Sequence, residues 1–348
     1  MGLRHEGLKP FDPDTPSIAR VWDYWLGGKN NFPADRELAE KVLEINPLAA
    51  QMARENRLFL GRAVSYVAGL GVRQFIDIGA GLPTVLNTHD VAQRTDPGAT
   101  VAYVDNDPIV IAHARVLLAM AQGVVVVPGD MRDPAAILAD AQLTSIIDLA
   151  RPVCVLLSGV LHFLDADAAR DVATAFTRAI APGSHVIISV GSGQNEVAGP
   201  FTAAYTAAPL YIHAFGEIMS FFDGLELVPP GLAPARGWKA GATAPAMMPG
   251  QATFLAGVGR KTRPVLVLVK HGHQEITKRS APESSAPAGG GQPEKGQTGR
   301  QAMDLHRDRP GGLPAGPVQA EPAAQRGTAP HLVPVEPVVA VAELARDT

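Results

Sequence analysis

The apolar residues change rhythm near residue 72. Before it they recur at helical spacing: Ile18, Val21, Trp22, Trp25 and Leu26 share one face, which Gly27 and Gly28 end. A second helix is predicted from Pro33 to about 44, and a third from Pro47 to about 67, with Gly69 and Gly71 stopping it. After residue 72, short continuous apolar runs alternate with alanine-rich stretches. The pattern predicts strands over 74–78, 100–104, 124–127, 153–157 and 185–190, and helices over 82–93, 108–120, 134–140 and 166–179. Strands that are apolar throughout and separated by helices indicate a parallel sheet covered on both faces, in a doubly wound α/β fold. A looser region over 192–209 leads to a helix at 215–222 and a strand at 225–228. Apolar segments follow at 253–258, expected as an inserted or edge strand, and at 264–269.

Composition divides the chain. Apolar residues make up 46% and charged residues 18% of the 348 positions, enough for a core. All nineteen aromatics lie between Phe11 and Phe254, whereas the stretch from 271 to 348 holds ten Pro and ten Gly. Such a segment buries too little apolar area to offset its ordering entropy, so disorder is expected from about 271. Three parts are therefore expected: a helical cover over 1–70, a ligand-binding α/β domain over 71–262, and an extension over 263–348.

The net charge of −4 and the absence of a long like-charge block do not suggest nucleic acid as a partner. A single cysteine, Cys154, excludes an intrachain disulfide and fits a reducing compartment. No leader-like apolar region opens the sequence and no run reaches 18 apolar residues, so a soluble, cytoplasmic chain without membrane contact is expected.

In a doubly wound sheet, ligands bind beyond the carboxyl ends of the strands. Those ends carry Asp77-Ile78-Gly79-Ala80-Gly81, Asp105-Asn106-Asp107, Gly129-Asp130-Met131 and Ser158-Gly159. Gly79 and Gly81 permit a tight turn and close approach of a ligand, and a helix starting near Leu82 would add free N–H groups. Asp105, 24 residues past Gly81, is placed to accept both hydroxyls of a ribose. Asp130 is placed to read an adenine amino group while Met131 covers the ring. Asp107-Pro108 and Asp133-Pro134 read as helix caps.

The first turn separates two cofactors. A dinucleotide site uses G-x-G-x-x-G, but Thr84 stands where the third glycine would be. Asp77, two residues before the turn, disfavours a pyrophosphate and suits the ammonium of a methionine-like group. Charge therefore points to S-adenosylmethionine rather than NAD.

The segments ARVWDYWLGGKNNFPADR, FIDIGAGLPTVLNTHDVAQ from Phe75, AYVDNDPIVIAHARVLL from Ala102, GDMRDP from Gly129, LLSGVLHFLDAD from Leu156 and APGSHVIIS from Ala181 occur in order. Over about residues 8–262 the chain resembles the actinobacterial S-adenosyl methyltransferase family formerly catalogued as a domain of unknown function. The resemblance implies a class I methyltransferase-like, mostly parallel seven-stranded sheet that binds S-adenosyl-L-methionine. It also implies Gly79 and Gly81 at the methionine side, Asp105 at the ribose, and Asp130 with Met131 at the adenine. Tyr24, Gly28, Lys29 and Asn30 fall in its N-terminal signature without an assigned task.

Because a sulfonium already activates its methyl group, alignment of the acceptor matters more than an acid–base triad. If the acceptor must lose a proton, His162 is the nearest candidate base, although its apolar neighbours equally suit a packed histidine. Tyr24 is a candidate for orienting substrate. Tyr205, Tyr211 and His213 lie in the variable region where an acceptor pocket can form, while His89 and His113 suit packing roles. No C-x-x-C or H-E-x-x-H pattern points to a metal. A small molecule is the favoured acceptor. The alternatives are an NAD-dependent oxidoreductase and a non-catalytic adenosyl-ligand-binding protein.

Overall fold

The computed structural model describes residues 12–263 except 85, 193–194 and 241–252. The apolar segment at 264–269 and the tail expected to be disordered lie outside the described residues. Three helices come first: α1 (Ile18–Trp25), α2 (Pro33–Ile45) and α3 (Ala49–Gly69). The alternating body follows: β1 (Gln74–Ile78), α4 (Thr88–Thr95), β2 (Thr100–Asp105), α5 (Pro108–Leu117), β3 (Val124–Pro128), α6 (Pro134–Ala139), α7 (Ala141–Ile146), β4 (Val153–Ser158), α8 (Ala166–Ala179) and β5 (His185–Ser192). Then come α9 (Asn195–Ala204), α10 (Phe215–Ser220), β6 (Glu226–Leu227), β7 (Ala233–Pro234) and β8 (Thr253–Arg260).

The eight strands form one sheet in the order β3-β2-β1-β4-β5-β8-β6, with β7 also paired to β8. The first five strands are parallel. β8 is antiparallel and sits between β5 and β6, so the segment expected as inserted or edge is an inserted strand. The chain reverses direction across the sheet between β1 and β4, which opens a crevice at their carboxyl ends.

Both faces of the sheet are apolar, which explains the continuous strand patterns. Phe59, Ala63 and Val67 of α3 pack on Phe75, Val101, Cys154 and Ile187 on one face. Ile137, Leu143, Phe176 and Phe221 cover Ile76, Val104, Val155 and Ile188 on the other. A third cluster, from Val21, Trp25, Leu38, Val42 and Ala53, joins the first three helices.

Several boundaries differ from the sequence reading. The helix expected from residue 82 begins at Thr88, because Leu86 adopts φ 61° and the Asn87 and Asp90 side chains close a capping box there. Asp140 accepts from the N–H groups of Gln142 and Leu143 and so starts α7, a helix the sequence reading missed. The looser region after β5 contains α9. The expected caps are present: Asp107 accepts from Ile109 N–H and Asp133 from Ala136 N–H.

Candidate functional site

Parallel register brings the strand-end carboxylates together. Asp77 pairs in register with Tyr103, two residues before Asp105, so all three side chains project from the face that carries α3. Gly79 and Ala80 donate their N–H groups to Val104 O at 2.8 and 3.1 Å, folding the first turn over the end of β2. Gly79 and Gly81 both have φ of 67°. Gly81 N–H donates to Asp105 Oδ2 at 2.9 Å and Asp107 N–H donates to Oδ1 at 2.9 Å. These donors, with a further backbone interaction from Asn106, fix the orientation of the carboxylate at the end of β2. Burial raises the Asp105 pKa to about 6, against the lowering effect of these hydrogen bonds.

Asp77 is buried and accepts from the Thr88 hydroxyl at 2.6 Å. Burial raises its pKa, while Thr88 and the Arg57 guanidinium oppose the rise. Arg57, from α3, lines one cleft with Asp77, Gly81, Asn87, Tyr103 and Asp105. Its Nη2 donates to Asn87 Oδ1 at 3.3 Å. The sequence reading missed Arg57 because a single arginine on a helix looks like any solvated residue until β1 is placed opposite it.

At β3, Asp130 Oδ1 accepts from Arg132 N–H and Nε, both at 2.9 Å, and its Oδ2 contacts Arg132 Nη2. The hydrogen bond to the Arg132 side chain holds the Asp130 pKa below the usual carboxylate range. Asn106 Nδ2 lies 3.4 Å from Asp130 Oδ2, linking the ends of β2 and β3. Met131 is partly buried against the second core cluster. Asp77, Gly79, Gly81, Asp105, Asn106, Asp130 and Met131 thus occupy adjacent carboxyl ends in the order β1, β2, β3.

Ser158 ends β4, on the other side of β1. Its hydroxyl lies 2.9 Å from that of Ser189 and 3.4 Å from Asn56 Nδ2. His162 follows in a short 3-10 turn, buried against Phe163 and Phe254. Its Nδ1 accepts from Gly191 N–H at 3.4 Å, and burial lowers its pKa to about 3. Tyr24, on α1, donates its hydroxyl to Glu40 on α2 and packs in the cluster that joins the first three helices. His89 is a packing residue whose Nδ1 lies 2.7 Å from the Tyr103 hydroxyl.

The N-terminal helices are tied to the rim. Ser17 donates through its hydroxyl to Asp107, and the buried pair Arg20 and Asp35, at 2.9 Å, joins α1 to α2. Asp23 accepts from Asn30 N–H at 2.8 Å and Asn31 Nδ2 at 2.9 Å, which folds the Gly-Gly-Lys-Asn-Asn loop back over α1. A Cβ on Gly28 would lie 2.0 Å from Asp23 Oδ1, so this glycine makes room for the carboxylate. The signature loop is thus closed from within. Asp23→Ala removes that acceptor and is expected to cost about 1 to 3 kcal/mol. A thermal melt with unchanged Tm would contradict this role.

Among the described residues, no group of three or more His, Cys, Asp or Glu side chains is placed to hold a metal ion. No helix among them is long and apolar enough to cross a membrane.

Residues 4–262 match a family model described as S-adenosyl methyltransferase. A crystal structure from Thermobifida fusca, provisionally named a methyltransferase, is 38% identical with a TM-score of 0.67, covering 72% of this chain and 96% of that one. A duf574 family protein from Streptomyces avermitilis is 36% identical with a TM-score of 0.67, covering 72% of this chain and 99% of that one. Comparison with curated proteins finds no match.

Proposed function

We propose that this chain, which belongs to the S-adenosyl methyltransferase family and is an S-adenosylmethionine-dependent methyltransferase, cradles the adenosyl cofactor along the ends of β3, β2 and β1 and serves a small-molecule acceptor. The family membership sets aside the oxidoreductase and binding-protein alternatives. The observation that carries the residue assignment is the convergence of Asp130, Asp105 and Asp77 on three neighbouring strand ends, with Arg57 beside Asp77 in one cleft.

The site's charges fit the group. The amino-acid end of the cofactor carries an ammonium and a carboxylate, and the cleft offers one group of each opposite sign, the buried Asp77 and the half-buried Arg57. Asp105, oriented by the Gly81 and Asp107 N–H groups, accepts from the ribose hydroxyls. Asp130 is fixed by Arg132, and giving up its 3.4 Å contact with Asn106 Nδ2 opens one acceptor position on Oδ2 for the adenine amino group, with Met131 beside the ring.

S-adenosylmethionine supplies an activated methyl carbon: an acceptor lone pair forms the new bond, and the carbon–sulfur electron pair stays on sulfur as S-adenosylhomocysteine. The chain's contribution is to orient and to exclude water. His162, with a pKa of about 3, does not retain a proton near neutral pH. We therefore assign it to shaping the wall beside β4.

Calorimetric titration tests the reading: S-adenosylhomocysteine is expected to bind and NAD is not. Arg57→Met is expected to weaken S-adenosylhomocysteine about tenfold or more, the scale of a hydrogen bond between charged groups. The same change should leave methylthioadenosine, which lacks the amino-acid end, within about twofold. Equal losses for both ligands would remove Arg57 from the carboxylate.

We place the working unit at residues 1–262, in the cytoplasm, with 263–348 as an extension. Truncation after Lys270 is expected to preserve S-adenosylhomocysteine affinity and Tm, and a large loss of either would assign the extension a part in the site.

A further inference from the structure

Beyond the cofactor cleft, the end of β4 carries an unsatisfied group. Asn56, on α3, is 4% exposed, and its Oδ1 has no hydrogen-bond partner among the described residues. Its Nδ2 donates to Ser158 Oγ at 3.4 Å. A buried polar atom left in this state costs about 1 to 3 kcal/mol, and such atoms mark functional sites or trapped water. Two other buried side chains with a polar atom unpaired by hydrogen-bond geometry among the described residues, His185 at the start of β5 and Thr177 near the end of α8, lie at the amino ends of the strands. Asn56 instead faces the carboxyl rim.

Trp22, Ser158 and Gly159 stand beside the Asn56 amide. A Cβ built on Gly159 would meet Trp22 Cη2 and Asn56 Nδ2, each at 3.2 Å, so glycine alone lets these two side chains close over the strand end. The Trp22 ring packs edge-on against Phe254 at 5.7 Å, and Phe254 packs against the neutral His162 at 5.7 Å. Asn56 is buried, whereas Trp22 and Ser158 remain partly open to solvent. Strand order adds direction: adenine at β3, ribose at β2 and the amino-acid end at β1 put the next strand, β4, beside the transferable methyl.

We propose that Asn56 Oδ1 positions the methyl acceptor, and that the acceptor is a neutral aromatic compound whose nucleophile carries an N–H or O–H. This inference rests on the cofactor assignment above. The nucleophile donates its hydrogen bond to Asn56, which leaves a lone pair for the methyl carbon. The new carbon–nitrogen or carbon–oxygen bond forms as the carbon–sulfur bond breaks with its electrons to sulfur. The surplus proton leaves to solvent, since neither Asn56 nor His162 retains it. Trp22 and Phe254 supply apolar wall, against which an unpaired charge is costly to bury, so a neutral acceptor is favoured over a carboxylate.

Saturation-transfer NMR on the full chain, saturated with S-adenosylhomocysteine, tests this with phenol, indole, anisole and benzoate as probes. Phenol and indole are expected to bind more strongly than anisole, which lacks the donor, and benzoate, which is charged. Asn56→Leu, and separately Asn56→Ser in case the first variant folds poorly, is expected to reduce phenol binding at least fivefold. S-adenosylhomocysteine affinity should remain within twofold in the folded variants. Equal binding of all four probes, or phenol binding that survives both substitutions, overturns the proposal. Loss of S-adenosylhomocysteine binding in a folded variant also overturns it by assigning Asn56 to the cofactor. Failure of S-adenosylhomocysteine to bind the unsubstituted chain instead defeats the cofactor assignment itself.

Discussion

Asp105→Ala is expected to weaken S-adenosylhomocysteine binding by about 1.5 to 3 kcal/mol, roughly one to two orders of magnitude in Kd. The substitution removes the acceptor for the ribose and, with it, the acceptor for Gly81 N–H and Asp107 N–H. The first turn therefore loses its tie to β2 together with the ligand contact. Calorimetry on a variant whose melt shows it folded is the appropriate measurement. Unchanged affinity would remove Asp105 from the ribose.

The same carboxyl sets a pH dependence. Burial raises its folded pKa to about 6, above its unfolded value, so the folded protein binds more protons between those two values. This group's contribution to stability is therefore greatest below the unfolded pKa and falls as pH rises toward about 6. Ligand binding runs the other way. Ribose hydroxyls donate to the ionised carboxylate, so affinity is expected to increase as pH rises through about 6 and then level off. Asp105→Asn should flatten that profile, and an unaltered profile would locate the titrating group elsewhere.

Gly79→Ala is expected to cost roughly 2 to 5 kcal/mol of stability, from left-handed backbone strain of about 1 to 2 and overpacking of about 1 to 3. Gly79 has φ of 67°, and a Cβ there would stand 2.4 Å from Val160 Cγ1. The turn is thus held between the chain's own dihedral and the segment following β4. At roughly 2 to 4 °C per kcal/mol for a domain of this size, Tm should fall well outside experimental scatter. Gly79→Ala combined with Val160→Ala should recover the packing part alone. A melt indistinguishable from that of the unsubstituted chain would remove the steric argument.

The parallel strands were legible in the sequence because both faces of the sheet are covered, which makes runs such as Val124–Pro128 and Val153–Ser158 apolar along almost their whole length. The strand-end carboxylates were legible for a related reason: a carboxylate directly after such a run has only the rim to occupy. Helix starts were harder to read. Residues 82–87 carry Leu82 and Leu86 at helical spacing, but the positive φ of Leu86 and the Asn87 cap delay α4 to Thr88. Partners from α3 were hidden altogether. Asn56 and Arg57 acquire meaning only when tertiary packing sets α3 against β1 and β4, and no local pattern records that meeting. Tyr24 was singled out from a conspicuous motif, and only the packing of α1 on α2 reveals that its hydroxyl donates to Glu40.

Placing β8 between β5 and β6 has a consequence for how the nascent protein matures. Every backbone rung on the outer side of β5, and every rung of β6 and β7, is completed by a strand that arrives only at Thr253–Arg260. Until then a growing polypeptide carries an open, apolar β5 margin able to recruit foreign strands. Premature stops upstream of Thr253 should therefore yield aggregating products rather than shortened enzymes, and closure of the sheet is a late event in biosynthesis.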